Sequence, residues 1–145
     1  MYKHLLIPTD GSDLAAKAVR HGIACAKAIG ARVTVMMASS AVPELAAQSA
    51  ILPQDMVEFR RRREAYAAEV FCGIIEEAKA AGVACDTRHV EESHPYEAII
   101  ATAQSEGCDL IVMASHGRRG VSAIVLGSET VKVLTHSTIP VLVYR

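Results

Sequence analysis

The chain has 145 residues, 51% of them hydrophobic and 21% charged, with a net charge of −1. That length suits one ordinary domain with a real core, and the charge balance excludes both a disordered chain and a strongly basic nucleic-acid-binding surface. No apolar stretch approaches the roughly 18 residues of a membrane span, and the opening Met1-Tyr2-Lys3-His4-Leu5-Leu6-Ile7-Pro8 lacks the long apolar run and cleavage site of a signal peptide. A cytoplasmic location with no membrane partner is therefore expected. The cysteines, Cys25, Cys72, Cys85 and Cys108, form no Cys-x-x-Cys pair and read as reduced, buried thiols.

Residues 3–9 form a short apolar run that stops at Pro8-Thr9-Asp10-Gly11-Ser12, a strand followed by a turn. Ser12 can cap a helix whose apolar positions, Ala15, Ala18, Val19, Gly22, Ile23, Ala26 and Ile29, recur at threes and fours until Gly30 closes it. Residues 32–38 are apolar on both faces, as a central parallel strand requires. A polar, Ala-rich connection, 39–54, leads to a long helix, 55–81. Its stripe is Tyr66, Val70, Ile74 and Ala78, and Gly82 ends it. The run Arg60-Arg61-Arg62-Arg63 reads as a solvated segment paired with Glu58, Glu64 and Glu69 rather than a lipid or nucleic-acid site.

Residues 83–90 make a third, more polar strand, suited to a sheet edge. Ser93-His94-Pro95 starts the next helix, with Ile99, Ile100 and Ala103 inward and Gly107 after it. Residues 109–114 are almost wholly apolar, hence a central strand. A loop over 115–126, a helix over 128–136 and a last strand over 140–144 complete the chain. Five strands with helices between them predict an α/β fold, a parallel sheet covered on both faces.

In an open parallel sheet, ligands sit beyond the carboxyl ends of the strands, where the strand order reverses. Two turns suit that position. One is Pro8-Thr9-Asp10-Gly11-Ser12. The other, Ala114-Ser115-His116-Gly117-Arg118-Arg119-Gly120, leads to Gly127-Ser128. Glycines admit a close ligand, a helix N-terminus offers free N–H groups, Ser128 can cap that helix or donate to a phosphate, and Arg118 and Arg119 supply cations. The same residues would equally make an ordinary surface turn before a capped helix. The Walker pattern is absent, as is Gly-x-Gly-x-x-Gly after the first strand. His116 has no carboxylate or nucleophile near it in sequence to make it a general base. His89, His94, Glu91 and Glu92 resemble a metal cluster on paper, but strand alternation splits them between faces and a solvated face is the better reading.

Across its whole length the chain resembles the universal stress protein family. Three features carry the resemblance: Ile7-Pro8-Thr9-Asp10-Gly11-Ser12; Asp109-Leu110-Ile111-Val112-Met113 with Ser115-His116-Gly117-Arg118-Arg119-Gly120; and Leu126-Gly127-Ser128 with the ending Pro140-Val141-Leu142-Val143. The resemblance implies a single domain over 1–145, with an open Rossmann-like sheet of order 3-2-1-4-5 that is similar to adenine nucleotide alpha hydrolases. It also implies binding of ATP, with Mg²⁺, in stress response or signalling. ATP-binding members carry Gly-x2-Gly-x9-Gly-Ser/Thr. Gly117 and Gly127-Ser128 fall in register here, and Ala114 stands in place of the first glycine.

Carried over by position, Pro8 and Thr9 would form one wall of the adenosine site. Asp10 would meet ribose hydroxyls or a phosphate-bound metal, Ala38 would meet the adenine, and Met113 would pack nearby. Ala114, Ser115, His116, Gly117, Arg118, Arg119 and Gly120 would line the phosphate path. Gly127, Ser128, Glu129 and Thr130 would receive phosphates, with the Glu129 side chain turned away. The resemblance further implies a homodimer through the last strand, at Val141, Leu142 and Val143. An enzyme is not required: at most a slow ATPase or phosphotransferase would use Asp10 and His116. An interaction module binding no nucleotide is the other alternative, and Ala114 is the feature that favours it.

Overall fold

The computed structural model describes residues 1–41, 52–117 and 125–145. Its described elements run β1 (His4–Pro8), α1 (Asp13–Ile29), β2 (Arg32–Ser39), α2 (Pro53–Ala81), β3 (Cys85–Glu91), α3 (Pro95–Ser105), β4 (Leu110–Ala114), α4 (Ser128–His136) and β5 (Val141–Tyr144). The five strands form one sheet in the order β3-β2-β1-β4-β5, and every paired neighbour is parallel. The expected architecture therefore holds, with β3 at one edge and the reversal of order between β1 and β4.

Alternation along the central strands divides the core in two. Leu5, Ile7, Val33, Val35, Met37 and Val112 point to one face, where Val19, Ile23 and Ala26 of α1 and Ala67, Phe71, Ile74 and Ala78 of α2 cover them. Leu6, Met36, Ile111 and Met113 point to the other, under Ala98, Ile99 and Ala103 of α3 and Val133 of α4. Side chains buried on both faces explain why β1, β2 and β4 are almost uninterrupted apolar runs.

Local chemistry sets the helix ends. Ser12 Oγ accepts the Ala15 amide at 3.3 Å, and Gly30, at φ +68°, closes α1 by donating to the Ala26 and Lys27 carbonyls. The inward stripe of α2 is Ala67, Phe71, Ile74 and Ala78, with Tyr66 and Val70 on its flank. That phase turns Cys72 outward, so it is exposed. Only Cys108 is buried, and Cys25 and Cys85 are half-buried, which corrects the expectation of four buried thiols. Burial pushes the Cys85 and Cys108 thiols up to about 11, so both remain protonated at neutral pH.

At the amino end of the sheet, His4 is buried. Its Nε2 pairs with Thr34 Oγ1 at 2.8 Å, and its Nδ1 has no partner among the described residues. Burial first, and then the Arg32 charge, lower its pKa below the ordinary histidine value. In the pH interval between the folded and unfolded values, the unfolded chain binds the extra proton. The His4 contribution is thus fully present above about pH 6.5 and is lost as pH falls below that value. Urea unfolding should show a larger stability loss between about pH 7.5 and about pH 5.5 for wild type than for His4→Gln. Equal losses would show that His4 does not carry the dependence.

Candidate functional site

The carboxyl ends of β1 and β4 lie side by side and part into separate loops, and the cleft opens between them. The β1 loop is self-tied. Thr9 N–H donates to the Met36 carbonyl at 2.8 Å, Gly11 N–H to Thr9 Oγ1 at 3.2 Å, and Ser12 N–H to Asp10 Oδ1 at 2.9 Å. Tyr66 Oη of α2 donates to the Asp10 carbonyl at 3.3 Å. These bonds hold Asp10 at the mouth of the cleft.

The β4 loop is anchored at both of its described ends. Ser115 N–H donates to the Tyr144 carbonyl and Gly127 N–H to the Ser115 carbonyl, each at 2.7 Å. Thr130 Oγ1 donates to the carbonyls of Ala114 and Ser115, both at 3.1 Å. Gly127 is the N-cap of α4, with φ −62° and ψ 151°. Ser128 is the first helical residue and its hydroxyl makes no capping bond, which corrects that part of the sequence reading. The amides of the first helical turn, Ser128, Glu129 and Thr130, have no intrahelical acceptor and open toward the cleft with the positive end of the helix dipole.

Two glycines sit close against their neighbours. A Cβ on Gly117 would stand 2.6 Å from Asp10 Oδ2. One on Gly127 would stand 3.1 Å from His116 Cα and 3.3 Å from the Ser115 carbonyl oxygen. The two loops therefore meet through Asp10 and Gly117. Ala114 is the last residue of β4, in register with Tyr144, and no described non-glycine residue has positive φ. The alanine there sits in ordinary extended backbone, so its methyl costs no strain.

The inner part of the cleft is a cavity of about 190 Å³, walled by Pro8, Thr9, Met36, Ala38, Ile99 and Met113. It opens into an outer part of about 490 Å³ bordered by Asp10, His116, Gly117, Gly127, Ser128 and Arg63. Ala114, Glu129 and Thr130 line the inner cavity as well, whereas Ser115 is buried and lines neither part. Thus twelve of the sixteen expected site residues line one cleft. Arg118, Arg119 and Gly120 lie outside the described residues.

The Thr130 hydroxyl is bound to β4-end carbonyls, so it ties α4 to β4. Glu129 turns as expected: its carboxylate accepts the Tyr96 amide at 2.9 Å and Lys132 Nζ at 2.9 Å. His116 Nδ1 lies 3.2 Å from Ser115 Oγ, a hydroxyl contact that sequence distance did hold.

Residues that the sequence reading missed come from α2, α3 and the segments at the carboxyl ends of β2 and β3. Pro95 and Ile99 line the inner cavity, and Arg63, Ser39, Ser40, Glu92 and Ser93 line the outer cleft. The signal was present, since α3 begins directly beyond the carboxyl end of β3, on the ligand side of such a sheet. The paper metal cluster separates. His89 Nε2 pairs with Ser39 Oγ at 2.9 Å, and Glu91 pairs with Arg60 at 3.2 Å. Glu92, His94 and Glu97 come together instead, at the surface.

Fold and cleft define a doubly wound α/β protein with a cleft at the topological switch point. The family model for the universal stress protein family matches residues 1–145, and the chain belongs to that family. A universal stress protein of Thermus aquaticus is 35% identical over 146 residues, covering 100% of both chains. The solved structure of MJ0577, a universal stress protein of Methanocaldococcus jannaschii, superposes with a TM-score of 0.84 at 31% identity. It covers 99% of this chain and 95% of that one. A universal stress protein solved in complex with cAMP superposes at 0.71 with 25% identity, over 99% of this chain and 97% of that one. No described helix is long and apolar enough to cross a membrane.

Proposed function

We propose that this protein binds ATP in the β1/β4 cleft and acts in stress response or signalling as a nucleotide-dependent binding or regulatory module. The observation that carries this reading is the join of an apolar inner cavity to an outer cleft floored by the amides of α4, with Gly117 close against Asp10 and Gly127 close against His116 and Ser115. An adenine suits walls of Met36, Ile99 and Met113, and phosphates suit unpaired amides at a helix N-terminus. The cAMP complex of a 25% identical relative supports an adenine nucleotide in the same fold. The ligand would lie with its base against Pro8, Ala38 and Met113 and its phosphates at Gly127 and Ser128. Asp10, whose Oδ1 accepts the Ser12 amide, would meet a ribose hydroxyl or a phosphate-bound Mg²⁺.

The test is extraction of the purified protein for bound nucleotide, followed by calorimetry with ATP. ATP recovered from the protein, or a saturable heat of ATP binding, is the expected result. No bound nucleotide together with no heat would end the reading. ADP recovered with phosphate release on incubation would favour a slow ATPase instead.

We also propose a homodimer through β5. The Pro140 and Tyr144 carbonyls accept β4 amides, so the backbone groups of Val141 and Val143 point to the open edge. An unpaired apolar edge takes a partner strand. Light scattering should give twice the 15.5 kDa of one chain. Val143→Pro, which removes an edge donor and no β4 bond, should shift the mass to one chain. A wild-type monomer would overturn this assembly.

A further inference from the structure

We propose that Arg63 of α2 selects the phosphate count of the ligand, favouring a nucleoside triphosphate over a mononucleotide; this rests on the nucleotide reading above. Four consecutive arginines cannot share one side of a helix, and their partners differ. Arg61 and Arg62 both hold Glu58, at 2.8 and 2.9 Å, and the Arg61 and Arg62 hydrogen bonds bring that carboxyl down to about 2. Arg60 reaches Glu91 at 3.2 Å. Arg63 has no carboxylate within ion-pair distance among the described residues. Its guanidinium stands 5.1 Å from the centre of the Phe59 ring.

The same side chain borders the outer cleft beside Ser39 and Ser40, in the space shared with Gly127 and Ser128. Asp10, Glu92 and Glu129 also border that space. Among its described lining residues, Arg63 is the one side chain with a permanent positive charge. Glu129 is paired with Lys132, but the Asp10 and Glu92 carboxylates oppose an incoming polyphosphate, and a neutral helix N-terminus only partly offsets them. A guanidinium over an aromatic ring still has N–H groups that can make a forked contact with phosphate oxygens. The inner cavity takes base and sugar regardless of how many phosphates follow, so Arg63 acts only on a chain that extends into the outer cleft.

Calorimetry with ATP and with AMP on wild type, Arg63→Gln, Arg63→Lys and Arg62→Gln tests this. Arg63→Gln should weaken ATP about tenfold or more and AMP less than about twofold. Arg63→Lys should recover part of the ATP loss, because charge returns without the fork. Arg62→Gln, on the Glu58 side, should leave both affinities unchanged. If Arg63→Gln weakens ATP and AMP equally, or weakens neither, the assignment of Arg63 is overturned while the nucleotide site stands. A wild type that binds neither nucleotide overturns the site and Arg63's role together. Exposed Arg63 supports no core contact, so thermal unfolding of Arg63→Gln should match wild type.

Discussion

Gly127→Asp should weaken ATP binding by at least about a hundredfold while α4 still forms. Aspartate is a favoured N-cap residue, so the new carboxylate can satisfy an amide of the first turn of α4 and support the helix. The same carboxylate then occupies the amides proposed to hold the phosphates. Two like charges at 4 Å repel by roughly 4 kcal/mol at an effective dielectric of 20, which is close to three decades of affinity. The new Cβ also presses on His116 Cα at 3.1 Å and the Ser115 carbonyl oxygen at 3.3 Å, so the backbone must give by a few tenths of an ångström. The expected pattern is therefore a near-native far-ultraviolet circular dichroism spectrum, a modest fall in unfolding midpoint and no measurable heat with ATP. Unchanged ATP affinity would place the phosphates elsewhere on the protein.

Gly11→Ala should destabilise the fold by about 3 kcal/mol, against about 1 kcal/mol for Gly30→Ala. Both positions have positive φ, +77° and +68°. An alanine at Gly30 meets nothing within 4 Å, so its cost is the left-handed backbone alone. At Gly11 the methyl would overlap Tyr66 Oη, stand 2.9 Å from Tyr66 Cζ and come within 3.3 Å of Val70 Cγ2. Tyr66 would have to leave its place against the core and give up its bond to the Asp10 carbonyl. Chemical denaturation of the two variants measures the difference. Equal losses would mean that Tyr66 moves freely and does not brace the β1 loop. Because Asp10 precedes Gly11, the Gly11 variant should also lose nucleotide affinity, whereas Gly30, at the far end of α1, should not.

The element order was legible because each element carries its own period. Leu5, Leu6 and Ile7, and likewise residues 110–113, are apolar without interruption, as only strands covered on both faces are. Ser12, Gly30, Gly82 and Pro95 mark helix ends through chemistry that acts within a few residues. The errors lie where local signals compete. Ser128 looked like a cap by residue type, but Gly127 holds that position and leaves Ser128 as the first helical residue. Cys72 looked buried from its apolar neighbours, yet the phase set by Phe71 and Ile74 turns it outward. The arginine run looked uniform, but the packing of α2 against β3 gives Arg60 a partner in Glu91 and brings Arg63 to the cleft.

The sequence by itself determined the alternation of strand and helix, the two turns that face a ligand and the glycine spacing from Gly117 to Gly127. All of these depend on residues near one another in the chain. Only the tertiary structure decided that Asp10 lies against Gly117 and that Ile99 and Pro95 wall the cavity. Those facts depend on how β1, β4 and α3 come together across the sheet, and contacts between residues a hundred positions apart leave no period to read in a single chain.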